Sequence, residues 1–257
     1  MLQQSTVVNL ERALVEVWYR KTADLSAEVV SDADRYLSEE EIVRRDRLHF
    51  PADRRDFAIA HDLLRRTLSR YSDVSPANWR FRADNYGKPS IDNPQQDLAH
   101  LSFSLSHLNG CVGCGVTFGK LLGIDIESSD RVTLPLEIAS RYFANHEWLR
   151  LREYSEDLRR IRFIELWTLK EAFLKAVGLG FSGALDGPAF RFEPPDVIVF
   201  DPPPGVDSAA WHFAVWDLGS NTRLAAAVAG SCRPRFILRS EDLERSVSNL
   251  IWRSVAS

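Results

Sequence analysis

Apolar positions recur along the chain with two periods, and the switches between them mark out its elements. From Ala13 to Tyr19 the residues alternate through Leu14, Glu16 and Trp18, as in a strand. Ser38 to Leu48 opens on Ser-Glu-Glu-Glu, the pattern of a capping box, and predicts a charged helix. From Arg54 to Tyr71 the apolar residues Phe57, Ala60, Leu63, Leu64 and Leu68 fall on one helical stripe. Trp79 to Ala83 reads as a short strand, and Asn85 to Asp97 as a Gly/Pro/Asn loop. Leu101 to Leu105 and Cys111 to Phe118 form a strand pair turning at Asn109-Gly110. Leu121 to Glu127 is a strand; Leu136 to Tyr142, Glu147 to Tyr154 and Leu158 to Val177 are helical. The last third alternates strands with Pro-rich loops and ends in a predicted short helix near Leu243 to Trp252. Paired strands mixed with helices, without a βαβ cadence, predict an α+β fold. A similar inventory on either side of Lys120 predicts two similar α+β subdomains, 1–120 and 121–257.

Composition narrows the class. The chain has 257 residues, of which 45% are hydrophobic and 26% charged, which excludes global disorder. No apolar run reaches the roughly 18 to 20 residues of a membrane span. Glu11, Arg12 and Glu16 interrupt the N-terminal stretch, so it does not read as a signal peptide. Three cysteines make no disulfide framework, and a reducing cytoplasm is the expected home. A net charge of −4 excludes a globally basic nucleic-acid binder. Only five of the 32 basic residues are lysines: Lys21, Lys88, Lys120, Lys170 and Lys175. Each is therefore a sharper pointer than a lysine in an average chain.

Two segments carry chemistry. In Gly123-Ile124-Asp125-Ile126-Glu127, strand alternation puts both carboxylates on one face, roughly 6.5 to 7 Å apart along the chain. They suit one hard cation, and they equally suit a half-buried strand with a solvated acidic face. In Trp167-Thr168-Leu169-Lys170-Glu171-Ala172-Phe173-Leu174-Lys175, Glu171 and Lys175 are four apart on one helical face. That pair reads as a metal ligand with a phosphate partner, or as an ordinary surface ion pair. The scarcity of lysine favours the first, because arginine would serve a surface pair equally well while a compact ammonium on a phosphate is not interchangeable with it.

Gly-Ile-Asp-Ile-Glu, about forty residues before Trp-Thr-Leu-Lys-Glu-Ala-Phe-Leu-Lys, resembles the signature of Sfp-type 4′-phosphopantetheinyl transferases. Phe103-Ser104-Leu105-Ser106-His107, Tyr86-Gly87-Lys88-Pro89 and the stretch Leu136 to Glu147 resemble further motifs of that family, in its order. The resemblance implies transfer of phosphopantetheine from coenzyme A to a serine of an apo acyl, polyketide or peptidyl carrier protein, with release of adenosine 3′,5′-bisphosphate. It implies two α+β halves in pseudo-twofold arrangement, with the active site in the cleft between them. It implies magnesium on Asp125, Glu127 and Glu171, and Lys170 and Lys175 beside the pyrophosphate, with Lys170 about 100° round the helix from Glu171. Asp125, Glu171 and Lys175 become the catalytic set, and the serine proton goes to Glu171 or to a metal-activated water. Glu147 matches the family's glutamate between the two core motifs and is an outer participant or a solvated helix-start carboxylate. His107 would meet the 3′-phosphate, Ser106 the nucleotide, and Lys88 the adenine or ribose end. Eight arginines between Arg44 and Arg70 stand against four aspartates, and of these Arg47 and Arg55 are the expected 3′-phosphate contacts. A soluble cytoplasmic monomer without nucleic acid or membrane partners is expected.

Other features carry less. Ser106 and His107 point to opposite faces of a strand, which rules out a nucleophile–base pair. Cys111 and Cys114, three apart on a strand, cannot readily share a bond or a metal and read as small buried residues. The arginines of residues 131–162 are interleaved with acids, so they give an acidic carrier protein only partial steering. Two other functions use the same features: another magnesium phosphotransferase or phosphohydrolase, and a non-catalytic coenzyme A- or carrier-binding module.

Overall fold

The structure, a computed structural model of the chain, describes residues 14–84, 87–93, 98, 100–133, 135–178, 185–194, 197–241, 245–247 and 250–254. It is a mixed α+β fold of two compact units. The chain opens with β1 (Leu14–Lys21) and three helices, α1 (Ala27–Asp34), α2 (Glu39–Asp46) and α3 (Pro51–Leu68). A short ribbon of β2 (Phe81–Ala83) and β3 (Pro89–Ile91) follows, and then the hairpin of β4 (Leu101–Leu108) and β5 (Cys111–Phe118). Gly110 takes φ +90° at its turn, as the Asn-Gly signal requires. The second unit begins with β6 (Leu122–Ser128), followed by α4 (Pro135–Tyr142), α5 (Asn145–Glu153) and α6 (Glu156–Val177). It continues through β7 (Ala189–Glu193), β8 (Val197–Asp201), β9 (Trp211–Gly219) and β10 (Thr222–Ala229). The chain ends in β11 (Arg235–Ser240), β12 (Arg245–Val247) and β13 (Leu250–Ser254).

One cut at Lys120 does not describe these units. Arg235–Val247 return to the first, where β11 lies parallel to β1 in a sheet of order β12-β11-β1-β5-β4. Gly87 and Lys88 fall with the second, whose sheet runs β6-β10-β9-β13-β8-β7. The expected helix near Leu243 to Trp252 is instead the two strands β12 and β13, with β13 parallel to β8 and antiparallel to β9. Pairing partners distant in sequence override the local helical period here. Helix α1, not evident from the apolar period, starts at Ser26, whose hydroxyl accepts from the Val29 amide.

Each unit has its own core. In the first, α3 buries Ile59, Leu63, Leu64 and Leu68 with Val112, Cys114 and Val116 of β5. Buried Asp56 ties that helix down, accepting from the Thr22 hydroxyl (2.5 Å) and the Gly110 amide (2.8 Å). The capping box at Ser38 is formed, and its Glu41 also binds Arg65 at 2.6 Å. Burial works to raise the Glu41 pKa, but the His61 ring, the Ser38 amide and Arg65 outweigh it and hold the group at about 2. In the second unit, Leu169, Ala172 and Phe173 of α6 pack with Phe213 and Val215 of β9 and Ala225 and Ala227 of β10. Each fully buried large side chain contributes about 1.5–3 kcal/mol by leaving water. Gly178 ends α6 in the left-handed region at φ 79°, and its amide closes on the Leu174 carbonyl at 3.0 Å. Among the described residues no helix is long and apolar enough to cross a membrane.

Candidate active site

The site starts from a missing side chain. A Cβ at Gly123 would lie 2.0 Å from the Ala172 carbonyl oxygen and 2.5 Å from the Ala176 nitrogen, so only glycine lets the α6 backbone rest on β6. Strand alternation puts Asp125 and Glu127 on the face that Gly123 opens. Asp125 is buried, and its Oδ1 accepts from Lys175 Nζ at 2.6 Å. Glu171, one helical turn before Lys175, is buried on the same helix. Burial raises its pKa and the nearby Asp125 charge raises it further, while Lys175 opposes both. The outcome is about 7. Asp125, Glu171 and Lys175 are thus electrostatically one group.

Glu127 is half-buried on the same face of β6 and lies opposite Arg223 in register with β10. Arg223 itself bridges to Asp217 (2.8 Å) and Glu165 (3.3 Å). Among the described residues no three His, Cys, Asp or Glu side chains are drawn together as a metal-holding group. The donor chemistry of the pair nonetheless fits a divalent cation. Burial first, and the Asp125 charge second, hold the Glu171 carboxyl at about 7, and a hard cation with oxygen ligands would stabilise the ionised form that both disfavour.

Lys88 lies at the same end of α6. Its Nζ donates to the Ala176 carbonyl at 2.7 Å, in the last turn, where the helix dipole favours a cation. Tyr86 of its motif lies outside the described residues.

Lys170 departs from its expected place beside a pyrophosphate. Its ammonium is fully buried, paired with Glu147 at 2.7 Å and donating to the Leu185 (2.9 Å) and Pro188 (2.5 Å) carbonyls. The Phe143 ring lies 4.9 Å from it. Desolvation lowers its pKa, with Glu147 opposing. Glu147 is no solvated helix-start carboxylate either. It is buried and accepts from the Ala144 (2.9 Å) and Phe190 (2.8 Å) amides. Lys170 and Glu147 form an internal clamp between α5, α6 and the entry to β7.

The remaining expected ligand residues belong to the first unit. His107 is exposed on β4, and Ser106 is buried as its alternate, which agrees with rejecting them as a dyad. Arg47 is exposed at the end of α2. Arg55 is half-buried and donates to Asp56 Oδ1 at 3.0 Å, so part of its charge serves the fold. Cys111 and Cys114 are free and buried; burial pushes the Cys111 thiol up to about 12 and raises that of Cys114 as well, which makes both inert.

Gly123 joins the site as a residue not expected there, and Lys170 leaves it for the interior. The first had a signal, an isolated glycine in a strand pattern. The second had none, because two of its three acceptors are backbone carbonyls and the third, Glu147, comes from another helix.

A sequence model described as the 4′-phosphopantetheinyl transferase superfamily matches residues 121–229, the span holding Gly123, Asp125, Glu127, Glu171 and Lys175. The 4′-phosphopantetheinyl transferase HetI of a Nostoc species is 34% identical over 169 residues, covering 65% of this chain and 70% of that protein. Two transferases of Bacillus subtilis, Sfp and ffp, are 31% and 30% identical, covering 61% and 65% of this chain and 66% and 71% of their own lengths. The buried acidic pair and Lys175 therefore lie within the matched span, and the chain belongs to the 4′-phosphopantetheinyl transferase superfamily.

Proposed function

We propose that this phosphopantetheinyl transferase moves the 4′-phosphopantetheine of coenzyme A onto a serine hydroxyl of an apo carrier protein, with magnesium held by Asp125, Glu127 and Glu171. One observation supports the reading above others: Asp125, Glu171 and Lys175 act as a single charged group on the α6-facing side of β6. When bound, the cation neutralises charge on the diphosphate and improves the leaving group. The protein's residues do the rest. Lys175, with a third of its side chain exposed, turns from Asp125 to a phosphate oxygen. Glu171 accepts the proton of the serine hydroxyl as the new Oγ–P bond forms and the bond to the departing adenosine 3′,5′-bisphosphate breaks. Lys88 holds the last turn of α6 from its Ala176 carbonyl, which fixes the height of Lys175.

Mass spectrometry of an apo carrier incubated with coenzyme A and magnesium tests this. One added phosphopantetheine on serine is expected, with Asp125→Ala abolishing it while circular dichroism stays unchanged. Diphosphate hydrolysis without transfer would point to a phosphohydrolase, and coenzyme A binding unchanged by magnesium, without turnover, to a binding module. Asp125→Ala turning over at the wild-type rate would sink the site.

A further inference from the structure

The second unit has a cavity of about 250 Å³ lined by α5, the first half of α6 and β7. Its floor is apolar and buried, made by Leu151, Leu166 and Phe190. Tyr154 and Phe192 form the walls, each covered by an arginine: Arg150 lies 5.4 Å from the Tyr154 ring and Arg162 5.2 Å from the Phe192 ring. Arg191 completes a cationic mouth. Cation–π contact steadies Arg150 and Arg162, and an ion pair orients each of the three: Arg150 to Glu153, Arg162 to Glu165 (2.5 Å) and Arg191 to Asp201 (3.2 Å). A fork with five donors can serve an internal carboxylate and a bound anion together. Of the acids lining the cavity, Glu147 is neutralised by Lys170 at 2.7 Å, and Glu193 is exposed at the end of β7.

An apolar floor beneath an arginine mouth selects an amphipathic anion. The volume lies below the roughly 300–1,000 Å³ of clefts that take drug-sized ligands, so the body must be small. Because each arginine already holds a carboxylate, the mouth offers spare N–H donors and not spare charge, which suits one anionic group and not a polyphosphate. We propose that this cavity is a binding site for a small organic carboxylate with a single-ring or short-chain apolar body, separate from the Asp125–Glu171 group.

Isothermal titration of the full chain with 4-phenylbutyrate tests it, with 4-phenylbutyramide as the uncharged twin. Saturable one-to-one binding of the acid is expected, about tenfold tighter than the amide. Arg150→Gln, an exposed change that leaves the core intact, should weaken the acid and not the amide. Leu166→Trp, filling the floor, should remove both. Asp125→Ala should leave the titration unchanged. No saturable binding at low-millimolar acid, equal affinity for the amide, or loss of binding in Asp125→Ala would each overturn the proposal.

Discussion

Two lysines five residues apart on α6 meet carboxylates in opposite settings. Lys170 is sealed, with three donors matched by three oxygens: the Glu147 carboxylate and the Leu185 and Pro188 carbonyls. Lys175 has a third of its side chain in solvent and binds Asp125 at 2.6 Å. Both owe their identity to the compactness of an ammonium, but to different ends. At 170 a guanidinium has no room and too many donors for the acceptors available, so the scarce lysine marks a structural clamp. At 175 the ammonium can leave its partner for another anion. Rarity of a residue type flagged both positions, and burial separates them.

The sealed pair carries the largest expected effect. Glu147→Ala leaves a buried ammonium without its counter-charge and is expected to cost about 3–5 kcal/mol in urea unfolding. The double variant Glu147→Leu/Lys170→Met should recover most of that loss, because well-packed apolar replacements of a buried pair are often neutral. A double variant as unstable as the single would mean the clamp works through its carbonyl bonds alone.

Gly123→Ala comes next. The new methyl meets backbone at 2.0 Å, so α6 must lift from β6, for an expected loss of about 1–3 kcal/mol. Transfer activity should fall further than stability, since Asp125 and Glu171 separate. Equal losses in both would detach the glycine from the site.

The open pair is sharpened by pH. In the metal-free protein Glu171 is held at about 7, above its ordinary 4.5. Between these values the folded state keeps a proton that the unfolded chain has lost, so this group's stabilisation is complete below pH 4.5 and drains away up to about 7. Melting curves across that window should show a falling trend that Glu171→Gln flattens. Lys175→Ala, which removes the group opposing the shift, should move the window upward.

The smallest effect belongs to the exposed Arg160–Glu156 pair at the start of α6, 2.8 Å apart. Arg160→Ala should change stability by less than about 0.5 kcal/mol. A larger loss would point to the second bond of Arg160, to the Val132 carbonyl at 3.4 Å.

Elements with a local cause were legible in the sequence. The capping box of α2, the Asn-Gly hairpin of β4 and β5 and the Gly178 stop of α6 each rest on contacts within a few residues. So does the sharing of one face by Asp125 and Glu127, which strand alternation dictates. Elements with a distant cause were not legible. β12 and β13 look helical locally but are strands because β11, β8 and β9 offer them partners, and Lys170 looks like a ligand residue until two carbonyls from another segment close over it. Residue identity and spacing along each element already say where charge chemistry is available. Which of those charges keep access to solvent is settled on folding, because desolvation depends on atoms brought from elsewhere in the chain.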